Sequence, residues 1–293
     1  MAEFTTIGLI GRLGSERAVY SMKRLIRYLE GEGLNVIIEQ DTASELPDHP
    51  RQVRSREELG QDCDLVIVVG GDGSLLAGAR ALAKYNVPIL GVNRGRLGFL
   101  TDIMPEEIES RVGEVLNGEY MKESRFLLDM SVSRHGEVVG TGDALNDVVI
   151  HPGKFIRMIE LELYIDGHFV TSQRADGMIV STPTGSTAYA LSGGGPIMHP
   201  KLDAIVLVPM NPHTLSSRPI VVDGKSEIKL LIGKQNSAYP HVTCDGQKHL
   251  VTQPGDEVHI QKKPHELQLI HPQNHNFYEV CRSKLGWGSH LGE

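Results

Sequence analysis

The sequence predicts an α/β N-terminal domain built on a parallel sheet, followed by a mainly antiparallel β C-terminal domain. Helix-period and strand-like segments alternate as far as residue 118. Beyond residue 120, short strand-like runs follow one another, separated by glycine and polar turns, and helical periodicity is scarce. The chain has 293 residues, 40% of them hydrophobic, enough for two cores of ordinary size. The boundaries read from these textures are 1–120 and 121–270, with a closing segment, 271–293, expected to pack back on the first domain.

Residues 4–10 open the chain as a strand. A helix then carries Val19, Met22, Leu25, Ile26 and Leu29 on one face, and a strand follows at 36–39. Leu65-Val66-Ile67-Val68-Val69 is apolar throughout and β-branched, the pattern of a strand buried on both faces in a parallel sheet. The next helix shows Leu75, Leu76, Ala79, Leu82 and Ala83, with Ser74 as a cap. A strand at 87–92 precedes a helix that opens at Pro105-Glu106-Glu107 and turns Ile108, Val112 and Val115 to one side. In the second half, strand runs fall at 127–132, 158–165, 177–181, 204–208, 228–232 and 257–260. A cleft between the two domains is the expected ligand site.

The formal net charge of -8 and the lack of a basic stripe exclude a nucleic-acid partner, which needs a positive face against phosphates. No segment approaches the roughly 20 apolar residues that span a bilayer, and the chain opens on a strand without a charged-then-apolar leader. No membrane association and a cytoplasmic location are therefore expected. Cys63, Cys244 and Cys281 form no C-x-x-C pair and are read as reduced and structural. Among thirteen histidines, the close pair His271 and His275 has Pro272 between its members, so a shared helical face, and with it a histidine metal site, is not expected.

The chemistry concentrates at three places. Gly70-Gly71-Asp72-Gly73-Ser74 puts one carboxylate inside a glycine turn between the apolar strand and its helix. Glycines let backbone approach a ligand, and amides at a helix N-terminus hold phosphate oxygens. Gly70, Gly71 and Gly73 are thus a candidate ATP phosphate cradle, with Asp72 beside the phosphate. The turn is neither a Walker loop, since Gly224-Lys225-Ser226 has Pro219 where the first glycine belongs, nor a dinucleotide fingerprint, since Gly8, Gly11 and Gly14 are wrongly spaced. The second place is Thr182-Pro183-Thr184-Gly185-Ser186-Thr187-Ala188-Tyr189, followed by Ser192-Gly193-Gly194-Gly195-Pro196. Small hydroxyls and one aromatic ring suit a polar ligand with a flat base. The third is Asn146-Asp147 ahead of a strand, where an amide can read an adenine edge or a ribose hydroxyl and a carboxylate can accept from two hydroxyls. Arg174-Ala175-Asp176-Gly177 and Cys244-Asp245-Gly246-Gln247 also pass as ordinary turns.

Taken in order, these motifs, with Asn93-Arg94-Gly95-Arg96-Leu97-Gly98-Phe99-Leu100 and Pro212-His213-Thr214-Leu215-Ser216-Ser217-Arg218-Pro219, resemble the ATP-dependent NAD kinases of bacterial type over residues 5–290. The resemblance implies a two-domain kinase that transfers the ATP γ-phosphoryl group to the adenosine ribose 2'-hydroxyl of NAD, with Mg²⁺ or another divalent cation accompanying ATP and no protein metal ligand assigned. It implies Asp72 as proton acceptor. It also implies NAD contacts from Asp72, Gly73, Asn146, Asp147, Arg157, Arg174, Asp176, Thr187, Ala188, Tyr189, Ala190, Leu191, Ser192 and Gln247. A homodimer or homotetramer assembled through the β domains follows from the same resemblance, with Asp176 reaching NAD held mainly by a neighbouring chain. Asp147 departs from the glutamate many members carry, which shortens its reach to the ribose. The alternatives are another kinase with the same turn, acting on a lipid or a sugar, and a nucleotide-binding regulator without turnover; polar loops and 5% aromatic content weigh against a lipid substrate.

Overall fold

The computed structural model describes residues 4–11, 14, 16–46, 51–95, 98–153, 157–237 and 239–287. The chain divides into two compact units, one formed by 1–124 with 265–293 and the other by 125–264.

In the first unit, strands β1 (Thr6–Gly11), β2 (Asn35–Glu39), β3 (Gln52–Arg54), β4 (Leu65–Val69) and β5 (Ile89–Val92) run parallel in the order β3-β2-β1-β4-β5. The C-terminal part of a long strand, β17 (Glu257–Pro272), adds a parallel neighbour to β5, pairing Leu269 with Ile89 and Ile270 with Leu90. β4 is buried at every residue, as its β-branched run predicts for a central parallel strand. Helix α1 (Glu16–Gly31) turns Ala18, Met22, Leu25, Ile26 and Leu29 onto the sheet, and α5 (Ile108–Leu116) adds Ile108, Val112 and Val115 to the same core. Two short helices, α2 (Gln40–Ser44) and α3 (Arg56–Asp62), and strand β3 lie where the sequence offered no periodic signal. Polar caps start these helices: the Glu39 carboxylate accepts from the Thr42 amide, while Ser55 and Glu58 form a reciprocal box at α3.

The second unit is a sandwich of two antiparallel sheets. One contains β9 (Ile159–Ile165), β10 (His168–Ala175), β14 (Ile228–Ile232) and the N-terminal part of β17, ordered β10-β9-β14-β17; β6 (Tyr120–Arg134) pairs with β17 and with β7 (Glu137–Ala144). The other is six-stranded, ordered β13-β12-β11-β8-β15-β16, from β8 (Asp147–His151), β11 (Gly177–Ser181), β12 (Ala204–Met210), β13 (Ile220–Asp223), β15 (His241–Cys244) and β16 (Lys248–Val251). Leu128, Val148, Ile150, Leu161, Met178, Val180, Leu207, Leu230 and Val258 fill the space between the sheets. The period-2 alternation of β8 then turns Asp147, Val149 and His151 to the opposite face. There Val149, Ile179, Val206 and Val208 are covered by Ala190 and Met198, which anchors the short helix α6 (Tyr189–Ser192) on the sheet.

Among the described residues, no helix is long and apolar enough to cross a membrane.

Candidate functional site

In the first unit, the glycine turn sits at the C-terminal end of β4, the position where open α/β sheets place ligands. Helix α4 (Asp72–Leu82) starts there, with Gly71 as a cap that offers no side chain. The Asp72 carboxylate is held by a strap formed by residues 98–101. It accepts the Phe99 amide at 2.9 Å, the Leu100 amide at 3.1 Å and the Thr101 hydroxyl at 3.3 Å. Thr101 is held in turn by the Asn93 amide group, which donates to its Oγ1 at 2.8 Å. The strap fits because residue 98 has no side chain: a Cβ there would lie 2.1 Å from Asp72 Oδ1. Gly71 and Gly73 differ from Gly98, since a Cβ at either would meet nothing within 4 Å among the described residues. Neither has a positive φ. Steric packing among the described residues therefore gives no reason for glycine at 71 or 73, and both flank the fixed Asp72 carboxylate without a Cβ.

In the second unit, a cavity of about 670 Å³ opens on the outer face of the six-stranded sheet, a size in the range of small-molecule sites. Of the residues singled out in the sequence, Asn146, Asp147, Arg157, Asp176, Ala188 and Tyr189 line it. Asp176 accepts from the Asn211 side-chain amide at 2.9 Å, and Tyr189 is 49% exposed, which leaves a ring face open. Asp147 is buried, and burial, then the Asp245 carboxylate nearby, push its carboxyl up to about 7. His151, also in the wall, is held below the ordinary histidine range by burial and then by His241 and His249.

The remaining singled-out residues lie elsewhere. Gly70, Gly71, Asp72 and Gly73 belong to the first unit. Ala190 is a core residue beneath α6, and the Thr187 hydroxyl donates to the Thr184 carbonyl at 3.3 Å. Leu191 and Ser192 complete α6, with Ser192 exposed. Arg174 is exposed on β10 and Gln247 is exposed in the turn between β15 and β16. Two hydroxyls at the start of the block are spent inside the fold. Thr182 and Ser186 are fully buried and serve the fold: Thr182 donates to the Leu145 carbonyl at 2.6 Å, and Ser186 donates to the Pro183 carbonyl at 2.7 Å while accepting the Met198 amide. These bonds fix residues 182–187 against the Asn146 turn, where a Cβ on Gly185 would lie 2.2 Å from the Asn146 carbonyl oxygen.

In the sequence, Asp245 reads only as part of an ordinary turn and not as a site residue. Its carboxylate accepts the amides of Leu145 at 3.1 Å and Asn146 at 2.8 Å, so it clamps the turn that presents Asn146 and Asp147. The available signal was Asp245-Gly246, where both residues adopt positive φ, 51° and 62°. His249 and Thr243, paired across β15 and β16, form part of the same wall. Nothing in their local sequence marks them.

A carboxylate fixed by two main-chain amides and a hydroxyl at a glycine turn, together with a nucleoside-sized cavity on the β unit, suits an enzyme of the alcohol-phosphorylating class. Residues 7–120 match the model of the ATP-NAD kinase N-terminal domain, and residues 145–272 match that of the ATP-NAD kinase C-terminal domain. The chain is 68% identical over 289 residues to the NAD kinase of Hahella chejuensis, covering 99% of this chain and 98% of that protein. It is 65% identical to the NAD kinase of Cellvibrio japonicus over 296 residues, covering 99% of both. Among solved structures, a yeast NADH kinase complexed with NADH superposes with a TM-score of 0.89 at 25% identity, over 100% of this chain and 94% of that one. An NAD kinase from Archaeoglobus fulgidus in complex with ATP gives 0.71 at 29% identity, over 95% and 99%. The chain belongs to the ATP-NAD kinase family.

Proposed function

We propose that this chain transfers the γ-phosphoryl group of ATP to the 2'-hydroxyl of the adenosine ribose of NAD, giving NADP. The observation that carries this reading at the level of the site is a carboxylate between Gly71 and Gly73, in the turn that opens α4, whose orientation is fixed by three donors. Phosphoryl transfer asks mainly for positioning and charge stabilisation, and that turn supplies both. Asp72 receives the hydrogen bond of the 2'-hydroxyl and takes its proton late, because a carboxylate is a weak base for an alcohol. The Gly70 amide is already given to the Val92 carbonyl at 2.8 Å, so the backbone beyond it, at the N-terminus of α4, cradles phosphate oxygens.

A divalent cation, Mg²⁺ in this reading, neutralises charge on the ATP oxygens. The turn fits such an ion: Mg²⁺ keeps most of its shell from phosphates and water and takes only one or two carboxylates, and Asp72 is the one carboxylate within the turn. Asn146 and Asp147 grip the ribose hydroxyls and nicotinamide side of NAD, with Tyr189 offering its ring as a stacking face. Ala188, Thr187, Ala190, Leu191 and Ser192 shape the segment around that ring, and Arg157, Arg174, Asp176 and Gln247 make the outlying contacts.

A homodimer or homotetramer in the cytoplasm completes the reading. Edge strands β10 and β13 carry Phe169, Val170, Ile220 and Val221, all exposed, and Leu215 is 96% exposed in the loop before β13. Uncovered apolar edges of this kind favour pairing with another chain.

The testing experiment follows NADP formation with purified protein, ATP and Mg²⁺, comparing NAD with NAD that lacks the adenosine 2'-hydroxyl. The analogue binds and consumes no ATP. ATP turnover that ignores NAD and requires diacylglycerol or a sugar phosphate would place the chain in a different kinase class.

A further inference from the structure

The pair His271 and His275 behaves differently from its sequence-based reading. Pro272 does exclude a shared helical face, yet no helix is needed. His271 lies at the end of β17 and His275 in the turn that follows, where its amide donates to the Pro272 carbonyl at 2.9 Å just before helix α7 (Phe277–Leu285). The two rings stack with centroids 4.1 Å apart and planes inclined by 21°. Both turn Nδ1 toward one carboxylate oxygen, Asp102 Oδ2, His275 at 3.3 Å and His271 in direct hydrogen-bond contact.

We propose that Asp102, His271 and His275 bind a divalent transition cation of the zinc class, which ties the C-terminal segment to the strap that holds Asp72.

Five observations carry the site. One ligand atom from each residue lies within 4.8 Å of the others. Tetrahedral coordination at about 2.0–2.1 Å spaces ligand atoms roughly 3.3 Å apart, the His275 to Asp102 separation, while His271 Nδ1, in direct contact with Asp102 Oδ2, must draw back from it to admit the cation. Behind the cluster, Glu123 Oε2 stands 3.3 Å from His271 Nε2, at ion-pair distance on the side of the imidazole away from Asp102, where metal-binding histidines carry an outer carboxylate. The Asp102 side chain is 10% exposed, and its Oδ1 is buried without a hydrogen-bond partner among the described residues. A purely hydrogen-bonded cluster leaves that oxygen unsatisfied, at a cost, whereas a carboxylate on a cation can use both oxygens. Finally, a cavity of about 290 Å³ reaches Asp102 and His275, giving an entry path and room for water as fourth ligand.

The consequence is local. Asp102 directly follows Thr101, whose hydroxyl touches the Asp72 carboxylate. A cation on Asp102 therefore fixes the C-terminal end of the strap within the same unit.

Untagged full-length chain, stripped with chelator, is titrated with Co²⁺ alone and followed by visible d–d absorption, then back-titrated with Zn²⁺. One tight equivalent with a tetrahedral spectrum, displaced by Zn²⁺, is expected. Glu123→Gln weakens Co²⁺ binding by about 10- to 100-fold, the usual effect of losing an outer carboxylate, and His275→Ala abolishes the spectrum. His271 sits within a sheet, so these two variants, checked for native circular dichroism, carry the test. Absence of a stoichiometric site in the wild type, or an unchanged spectrum in folded His275→Ala, overturns the proposal and leaves a hydrogen-bonded histidine–carboxylate cluster.

Discussion

Replacing Gly98 by alanine tests how the strap governs Asp72. The added methyl would lie 2.1 Å from Asp72 Oδ1 and 2.3 Å from Thr101 Oγ1. Ordinary carbon–oxygen contacts begin at roughly 3.3 Å, so strap and carboxylate must part by about 1 Å. Bonds of 2.9 and 3.1 Å from the Phe99 and Leu100 amides then pass beyond hydrogen-bonding distance. Each bond to an ionised group contributes about 1.5–3 kcal/mol. Rotation of Asp72 toward solvent recovers part of the loss, giving a net destabilisation of about 2–4 kcal/mol. A misplacement of about 1 Å at a reacting group lowers kcat by about 10²-fold.

Urea unfolding measures the first effect and a coupled NADP assay the second. A double-mutant cycle isolates the Asp72 part of the clash, because Asp72→Ala removes the carboxylate the methyl would strike and leaves only Thr101 Oγ1 in its way. Gly98→Ala costs less in that background, by a coupling of about 1–3 kcal/mol. Gly98→Ala with kcat within about threefold of wild type, or with equal destabilisation in both backgrounds, refutes the positioning role.

Asp72→Asn keeps the shape and is expected to lower kcat by about 10²- to 10⁴-fold while NAD affinity, read by calorimetry, changes little; near wild-type turnover removes it as proton acceptor. Asp147 supplies a pH dependence. Its carboxyl is raised to about 7 in the folded chain from about 3.9 unfolded, so the native state holds a proton that the unfolded state releases. Stability therefore falls as pH rises from about 4 to 7, by an amount on the order of 1–4 kcal/mol. Asp147→Asn flattens this slope and stabilises the chain mainly above neutral pH, whereas parallel urea midpoints for variant and wild type across pH 4 to 8 contradict the assignment. For the shared-site reading, Asp72→Asn and Asp176→Ala chains mixed and re-associated recover activity if each pocket draws Asp176 from a neighbour; dead hybrids, with activity retained by diluted wild-type monomer, show that a single chain suffices.

Much of the first unit is readable because its signals are local. A run such as residues 65–69 has no alternative home, and the burial of all five residues follows from their apolarity. Strands β7, β10, β13, β15 and β16 carry weaker patterns, since one face or both ends meet solvent. At the candidate site, Asp72 and Asn146-Asp147 announce themselves through turn chemistry. Asp245 does not, because its work is done about a hundred positions away, on the amides of Leu145 and Asn146. A turn-forming Asp-Gly and a clamp on a distant turn look identical in one sequence.

The hydroxyl-rich block shows the same difficulty from the other side. Its threonines and serines suggest a ligand grip because small hydroxyls can meet phosphate or ribose. They can equally satisfy buried carbonyls, and Thr182 and Ser186 do so, at 2.6 and 2.7 Å. The local sequence cannot distinguish these uses, since both require a small donor beside a bend. What distinguishes them is the approach of residues 182–187 to the Asn146 turn, close enough that only glycine fits at 185. Thr182 and Ser186 are therefore scaffold, and at the edge of the block Ala188 and Tyr189 line the cavity. Ser186→Ala illustrates the point: it strands the Met198 amide, which donates to Ser186 at 2.9 Å, and an unsatisfied buried amide costs about 1–3 kcal/mol. Its thermal midpoint falls, while KM for NAD at a temperature where the variant remains folded stays close to wild type. A large rise in KM with an unchanged midpoint would return Ser186 to the ligand grip.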